Sequence, residues 1–324
     1  MNRRGFLLTA AAGALAARTT PTSALARWPA KPVKLVVPFA PGGGSDIIAR
    51  LLAPKFLEIL QQPLLIENRP GASGTIGADA VAKAAPDGYT LLMSNNASIA
   101  TAPLVYGKTP YQPVAGFVHV VMIGSFANGF LVRADHPAKS FQEFISLARQ
   151  QPGRLTFASA GPGSAGHLTG ELLKIKAGID IQHVPYKGTG PAIVDLVSGQ
   201  IDALFDGLPA SLGYIRSGKL RSLAISSANR LPGLPTVPTI NEHIPGVVGA
   251  AWFGISAPAR TPQVIIESLQ DAVQRCLAMV DLRARYAEIG VVPSGQGQRE
   301  YTAFIEQEIA QWAPVIKAAN VRAE

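Results

Sequence analysis

Twice in this chain a short β-type run breaks into a glycine-rich turn and then into an amphipathic helix, and that recurrence limits the fold more than any other feature. Lys34-Leu-Val-Val-Pro-Phe39 reads as a strand, Pro41-Gly42-Gly43-Gly44 turns the chain, and Ile47, Ile48, Leu51, Leu52, Phe56 and Ile59 recur at helical spacing. Arg154-Leu-Thr-Phe-Ala158, the loop from Ser159 to Gly166 and the helical stretch from His167 to Lys176 repeat the arrangement. The copies align at a constant offset of 120, which pairs Leu35 with Leu155, Gly43 with Gly163 and Leu52 with Leu172. They propose one strand-loop-helix corner in each of two α/β lobes with largely parallel sheets.

The rest of the chain continues the alternation. A third corner lies at Val184-Pro-Tyr-Lys-Gly-Thr-Gly190, where Pro191 suits a first helical residue before Ile193, Val194 and Val197, and Gly199 ends the helix. Pro54 falls inside the first helical pattern and is expected to kink or shorten it. Thr261-Pro262 reads as a cap and first turn ahead of Ile265, Ile266, Leu269, Val273, Cys276, Leu277 and Val280. Cys276, the only cysteine, then sits on an apolar stripe and is expected to be a buried small hydrophobe. Tyr301, Phe304, Ile305, Ile309, Trp312 and Ile316 outline a final helix whose aromatics belong to the core.

The N-terminus reads as an export signal. Arg3-Arg4 precedes an apolar, alanine-rich stretch from Phe6 to Ala17, and Ala24-Leu25-Ala26 fits an A-x-A cleavage site, so residues 1–26 are expected to be removed after Ala26. The paired arginines suit the twin-arginine route, and equally the positive start of an ordinary leader. Arg3, Arg4 and Arg18 leave with the leader, which holds no acid, so the formal charge of +8 becomes +5. The 298 residues that remain, in a chain that is 48% hydrophobic, are enough for two lobes of ordinary size. No Lys/Arg run and no basic stripe with interleaved aromatics argues for nucleic acid.

Glycine at a strand-to-helix junction lets an anion approach the unpaired N–H groups of the first helical turn. Gly42-Gly43-Gly44-Ser45 and Gly161-Pro-Gly163-Ser164, at matched positions, therefore suggest two converging anion sites, although glycine also serves tight turns. Gly161, Gly163 and Gly166 formally satisfy a dinucleotide fingerprint, but Pro162 stiffens the turn and Asp180 follows a Gly178 break. Gly107-Lys108-Thr109 lacks the upstream glycine of a phosphate-binding loop. Neither Ser159 nor Ser164 stands in a nucleophile elbow, and a Ser164/His167 pair is near only in sequence. The histidines at 119, 136, 167, 183 and 243 show no metal-ligand spacing, so neither a metal nor a cofactor is expected. Asp46 reads as a helix-start residue whose side chain turns toward backbone donors.

Five blocks, in order, resemble the substrate-binding components of tripartite tricarboxylate transporters, the Bug proteins. They are Val36-Val-Pro-Phe-Ala-Pro-Gly-Gly-Gly-Ser-Asp46, Glu67-Asn-Arg-Pro-Gly-Ala72, Pro86-Asp-Gly-Tyr-Thr-Leu-Leu92, the loop and helix from Ser159 to Glu171, and Val184-Pro-Tyr-Lys-Gly188. Gly218-Lys-Leu-Arg-Ser-Leu-Ala224 and Val237-Pro-Thr extend the similarity over almost the whole mature chain, while Gly71-Ala-Ser-Gly-Thr-Ile-Gly77 and Pro54 depart from the family pattern. The resemblance implies a bilobed type II periplasmic-binding-protein fold, with two sheets flanked by helices and the ligand cleft between lobes. Lobe 1 would comprise 27–128 and 250–324, and lobe 2 would comprise 129–249, with crossings near Asn128-Gly129 and Gly249-Ala250. It also implies a monomeric periplasmic receptor, not an enzyme, that presents a small carboxylate to an inner-membrane permease. The glycine loops would hold the carboxylate through backbone donors and bridging waters, without an obligatory arginine.

The candidate ligand-binding residues are Phe39, Ala40, Gly42, Gly43 and Ser45 from the first corner, Ser159, Ala160, Gly163, Ser164 and His167 from the second, and Tyr186, Lys187 and Gly188 from the third. Asp206, in Leu204-Phe-Asp-Gly-Leu-Pro209, is either a ligand-facing position or a cap for the turn at Gly207, and the sequence favours neither. A ligand-dependent sensor role and a periplasmic enzyme stand as alternatives.

Overall fold

The computed structural model describes residues 28–231 and 233–322. The expected leader and its cleavage point lie outside the described residues. The chain runs β1 (Val33–Val37), α1 (Gly44–Leu60), β2 (Leu64–Asn68), α2 (Thr75–Ala82), β3 (Thr90–Asn95), α3 (Ala102–Tyr106) and β4 (Phe117–Arg133). It continues through α4 (Phe141–Gln150), β5 (Thr156–Ser159), α5 (Ala165–Ala177), β6 (Gln182–Pro185), α6 (Thr189–Ser198), β7 (Ala203–Gly207), α7 (Leu208–Arg216), β8 (Leu220–Ile225) and α8 (Ile240–His243). It then closes with β9 (Ala250–Pro258), α9 (Gln263–Ala278), α10 (Val280–Glu288), β10 (Val291–Pro293) and α11 (Gln298–Ala318).

These strands make two sheets, one per lobe, joined through β4. The first has the order β2-β1-β3-β9-β4, with β10 on the far side of β4, and the second places β4 between β8 and the run β7-β5-β6. The strands of the βα units, β1 with β2 and β3, and β5 with β6 and β7, pair in parallel because each helix returns the chain to the same end of its sheet. Within its 17 residues β4 changes partners, since Phe117 to Ala127 pair with β9 and Asn128 to Val132 pair with β7. Ser226 ties the two crossings together. Its hydroxyl accepts from the Asn128 N–H at 2.9 Å and donates to the Gly249 carbonyl, while its carbonyl accepts the Gly249 N–H at 2.9 Å.

Each lobe has its own core. In the first, Leu35, Ile48, Leu52, Phe56, Ile255, Leu269 and Cys276 pack α1 and α9 on one face of the sheet, while Val36, Trp252, Tyr301 and Ile305 seat α11 on the other. In the second, Phe130 lies edge-on to Phe144 at 4.7 Å between ring centroids and tilts against Phe205 at 4.8 Å. Full burial of each such side chain contributes roughly 1.5–3 kcal/mol.

The local expectations hold in kind and slip in register. Pro54 does not shorten α1, which runs unbroken from Gly44 to Leu60, because Leu52 and Phe56 on either side of it are wholly buried and their packing outweighs the missing hydrogen bond. α9 begins after Pro262, since the Thr261 hydroxyl is turned to the Pro258 carbonyl at 2.7 Å instead of capping the helix. α6 starts at Thr189, two residues ahead of Pro191. By position at the helix cap the counterpart of Gly43 is Ser164, so the aligned repeat places the second corner one residue early.

Cys276 is fully buried, and burial pushes its thiol up to about 12. A thiol reagent at pH 8 is therefore expected to leave the native protein unlabelled and to modify one site only as denaturant unfolds it; labelling at the free-thiol rate without denaturant would contradict the packing of α9.

Candidate functional site

The two corners predicted from the sequence meet across the cleft. A cavity of about 60 Å³ lies where the starts of α1, α5, α6 and α7 converge, lined by Gly43, Gly44 and Ser45, by Ser164, Ala165 and Gly166, by Gly188 and Thr189, and by Asp206 and Gly207. Phe39, Phe126, Phe205 and Phe253 supply its apolar wall, and Asn95, Asn96 and Asn128 its amides. The volume is several times the 10–15 Å³ that one water needs on the same measure. Hydrogen bonds also join the two lobes, from the Ser73 hydroxyl to the Pro162 carbonyl at 2.6 Å and from the Thr101 hydroxyl to the Gly163 carbonyl at 2.5 Å.

Three of the four helix starts have no side-chain cap: Gly43 before α1, Gly188 before α6 and Gly207 before α7. Their first N–H groups have no partner inside the helix and present partial positive charge to the cavity. At α5 the Ser164 hydroxyl caps the His167 N–H at 3.3 Å. Among the described residues no lysine or arginine lines the cavity, so the partial positive charge turned toward it comes from the backbone. Asp46, beside the first corner, is fully engaged elsewhere. Its carboxylate accepts from the Gly42 N–H at 3.0 Å, the Arg50 guanidinium at 2.9 Å and the Asn68 amide at 3.0 Å. Burial alone would raise its pKa, but these donors outweigh it and hold the carboxyl below its usual value, so its charge braces the loop and does not meet a ligand.

The sequence candidates divide into three groups. Phe39, Gly43, Ser45, Ala160, Ser164, Gly188 and Asp206 line the cavity. His167, Tyr186 and Lys187 instead face an adjoining open chamber of about 660 Å³, whose wall Phe39 and Ala160 share with the cavity and to which Glu171, Lys174 and His183 contribute. Ala40, Gly42, Ser159 and Gly163 line neither space and form the loops behind it. Gly163, at φ +73°, is held from behind: its N–H donates to His167 Nδ1 at 3.0 Å. His167 stacks on His183 at 3.7 Å between ring centroids, and His183 Nε2 bonds the Ser159 hydroxyl at 2.7 Å. Burial pushes His167 down to about 4 and His183 down to about 2, so the stack is neutral at pH 7.

Sequence reasoning missed Asn95, Asn96, Phe126, Asn128, Thr189, Phe205, Ala251 and Phe253. Asn95-Asn96 at the end of an apolar strand carried a readable signal, a polar pair closing a buried run. Thr189 opens α6 next to the candidate Gly188 in a corner already marked by its glycines. Phe126, Asn128, Phe205, Ala251 and Phe253 lie on strands that reach the cleft only through pairing, and nothing local marks them.

Asp206 is the one titratable side chain among the described residues lining the cavity. It is 1% exposed, and neither oxygen has a hydrogen-bond partner of good geometry. Burial raises it to about 7, and the Thr189 and Ser211 hydroxyls and the Gly207 N–H pull it back by less.

Similarity to known proteins agrees with this architecture. Residues 48–321 match the model of the tripartite tricarboxylate transporter family receptor. The solved periplasmic binding protein BugD is 33% identical, covers 92% of this chain and all of its own, and superposes with a TM-score of 0.87. A protein of R. palustris solved with adipate is 39% identical over 90% of this chain and 98% of its own, with a TM-score of 0.88. MatC from Rhodopseudomonas palustris, solved with bound malate, is 35% identical over 89% of this chain and all of its own, with a TM-score of 0.84. With a type II periplasmic-binding fold and this extent of similarity, the chain belongs to the receptor family of the tripartite tricarboxylate transporters.

Proposed function

We propose that this protein captures a small organic carboxylate between its lobes and delivers it to a tripartite tricarboxylate-type permease in the inner membrane, acting as a periplasmic monomer after cleavage following Ala26. The observation that carries this reading is the convergence of uncapped helix starts on one cavity lined by no cation among the described residues. Such a site favours an anion small enough to be surrounded by backbone N–H groups, and a carboxylate fits that description. The adipate and malate held by two relatives support the class. Lobe 1 is assigned residues 27–128 and 250–324 and lobe 2 residues 129–249, which the change of partner within β4 and the start of β9 support. The family is one of receptors, and the site is read as one for binding without turnover.

Thermal melting of the mature protein against a panel of acids tests the reading. At about a hundred times its dissociation constant a ligand adds ~2.7 kcal/mol, so at least one carboxylate should raise the melting temperature by roughly 5–10 °C while nucleotides raise it by none. A nucleotide response with no acid response would overturn it.

The two glycine corners separate in their response to substitution. Gly43 has φ −79°, open to any residue, and a Cβ there would stand 3.5 Å from the Thr189 hydroxyl across the cleft, an ordinary contact. Gly43→Val should therefore keep the melting temperature of the unliganded protein within about 2 °C and lose most binding by calorimetry. Gly163 has a positive φ, and a Cβ would stand 2.9 Å from Val105 and 3.0 Å from Thr101. Gly163→Val should lower the melting temperature itself, by an amount equivalent to about 1–3 kcal/mol. Unchanged affinity in Gly43→Val would remove the first corner from the clamp.

A further inference from the structure

We propose that the cleft takes up a carboxylate together with a proton, which Asp206 holds while the lobes are closed on the ligand. The inference rests on the carboxylate reading and deepens it. Asp206 and Asn128 lie on neighbouring strands at the back of the cavity, where Gly129 pairs with Asp206 and Asn128 with Gly207. Both carboxylate oxygens of Asp206 and the Asn128 side-chain N–H donor lack partners, and both residues are buried in the wall of the same small cavity that the helix starts line. A ligand carboxylate in that space therefore lies beside Asp206, within an apolar wall that screens little. Two carboxylates sharing such a site cannot both stay ionised. The helix starts favour the charge on the ligand, so the proton belongs on Asp206.

No neighbouring charge offers another solution. Asn128 and Gly129 face Asp206 from β4, Thr189 from α6 and Ser211 from α7, and none of these titrates. On α5, His167 and Glu171 are turned to the outer chamber; on α6, Asp195 is bonded to the Tyr186 hydroxyl at 2.6 Å; on α7, Arg216 donates to the Glu288 carbonyl at 2.8 Å. On α1, Asp46 is paired with Arg50. Burial already lifts Asp206 to about 7 with the cavity unshared, and a ligand's negative charge raises it further.

The sign of the linkage follows. The liganded form binds more protons than the unliganded one, because the ligand's charge raises Asp206 above the value of about 7 that burial already gives it. Affinity for a plain acid is then fullest at the acid end of the window in which the ligand is itself ionised, and falls as pH rises through the closed-state value, by up to about tenfold per pH unit. A ligand ammonium group would reverse the sign by expelling the proton.

Isothermal titration of the mature protein with adipate, malate and aspartate, at pH 6.5 and pH 8 in buffers of different ionisation enthalpy, reads the proton directly. The expected result is net uptake approaching one proton for each plain acid bound at pH 8 and a smaller uptake at pH 6.5, with affinity that weakens about tenfold between pH 6 and pH 8. Asp206→Asn, which keeps the shape and removes the titration, should abolish the uptake, flatten the pH profile and bind plain acids more tightly than the unmutated protein at pH 8. Plain-acid binding without proton uptake overturns the inference and leaves the carboxylate reading standing. Proton release on binding aspartate at pH 6.5, where the unliganded Asp206 is largely protonated, with no plain acid bound, assigns Asp206 to an ammonium group and also overturns it. Binding confined to ligands without a carboxylate would overturn both.

Discussion

A single strand belongs to both lobes, and the rest of the molecule is arranged around that constraint. β4 pairs with β9 as far as Ala127 and with β7 from Asn128 onward, so the lobes meet along one continuous backbone. Ser226 fastens this crossing to the return crossing at Gly249 with hydrogen bonds to both. A β-strand resists stretching, so a strand shared by both sheets fixes the distance between the lobes. The cavity lies beside this crossing, with Phe126 and Asn128 of β4 in its wall. The join between the lobes and the shape of the cavity are for this reason set by the same strand.

The electrostatics of the cleft differ from those of a salt-bridging site. An arginine would hold a carboxylate strongly, but at the cost of ordering a long side chain and of losing water from a full charge. In the proposed site, helix starts would hold it with fixed partial charges that the fold has already oriented, and the same N–H groups could donate to different carboxylates. Discrimination is left to the remaining wall: four phenylalanines, three asparagines and Asp206. That division suits a family in which relatives of similar fold hold adipate in one case and malate in another.

Behind the second corner, the stacked His167 and His183 act on the site at one remove. His167 takes up the Gly163 N–H and His183 bonds Ser159, so the loop is held from the outer chamber and its cavity side is left to the start of α5. Asp46 does the same for the first corner through Gly42, Arg50 and Asn68. Each corner thus has a polar brace that stands outside the cavity lining, which positions backbone N–H groups without competing for them.

Much of this was legible in the sequence because it is local. The strand, glycine turn and helix of each corner follow from side-chain periodicity and from turn chemistry, and Asp46 could be placed as a brace because a carboxylate at a helix start seeks nearby N–H groups. Cys276 could be placed in the core from its stripe. Other residues escaped because their place is decided by pairing between distant segments. Phe126, Asn128 and Phe253 reach the cleft only when β4 lies against β7 and β9. Gly43 and Gly163 aligned in sequence, yet one lines the cavity and the other is clasped behind it, because the helix cap of the second corner falls at Ser164. Asp206 shows the boundary most clearly. The sequence left it between a turn cap and a ligand contact; only the packed structure buries both its oxygens without partners in the cavity wall, since desolvation depends on everything that surrounds a group and not on its neighbours in the chain.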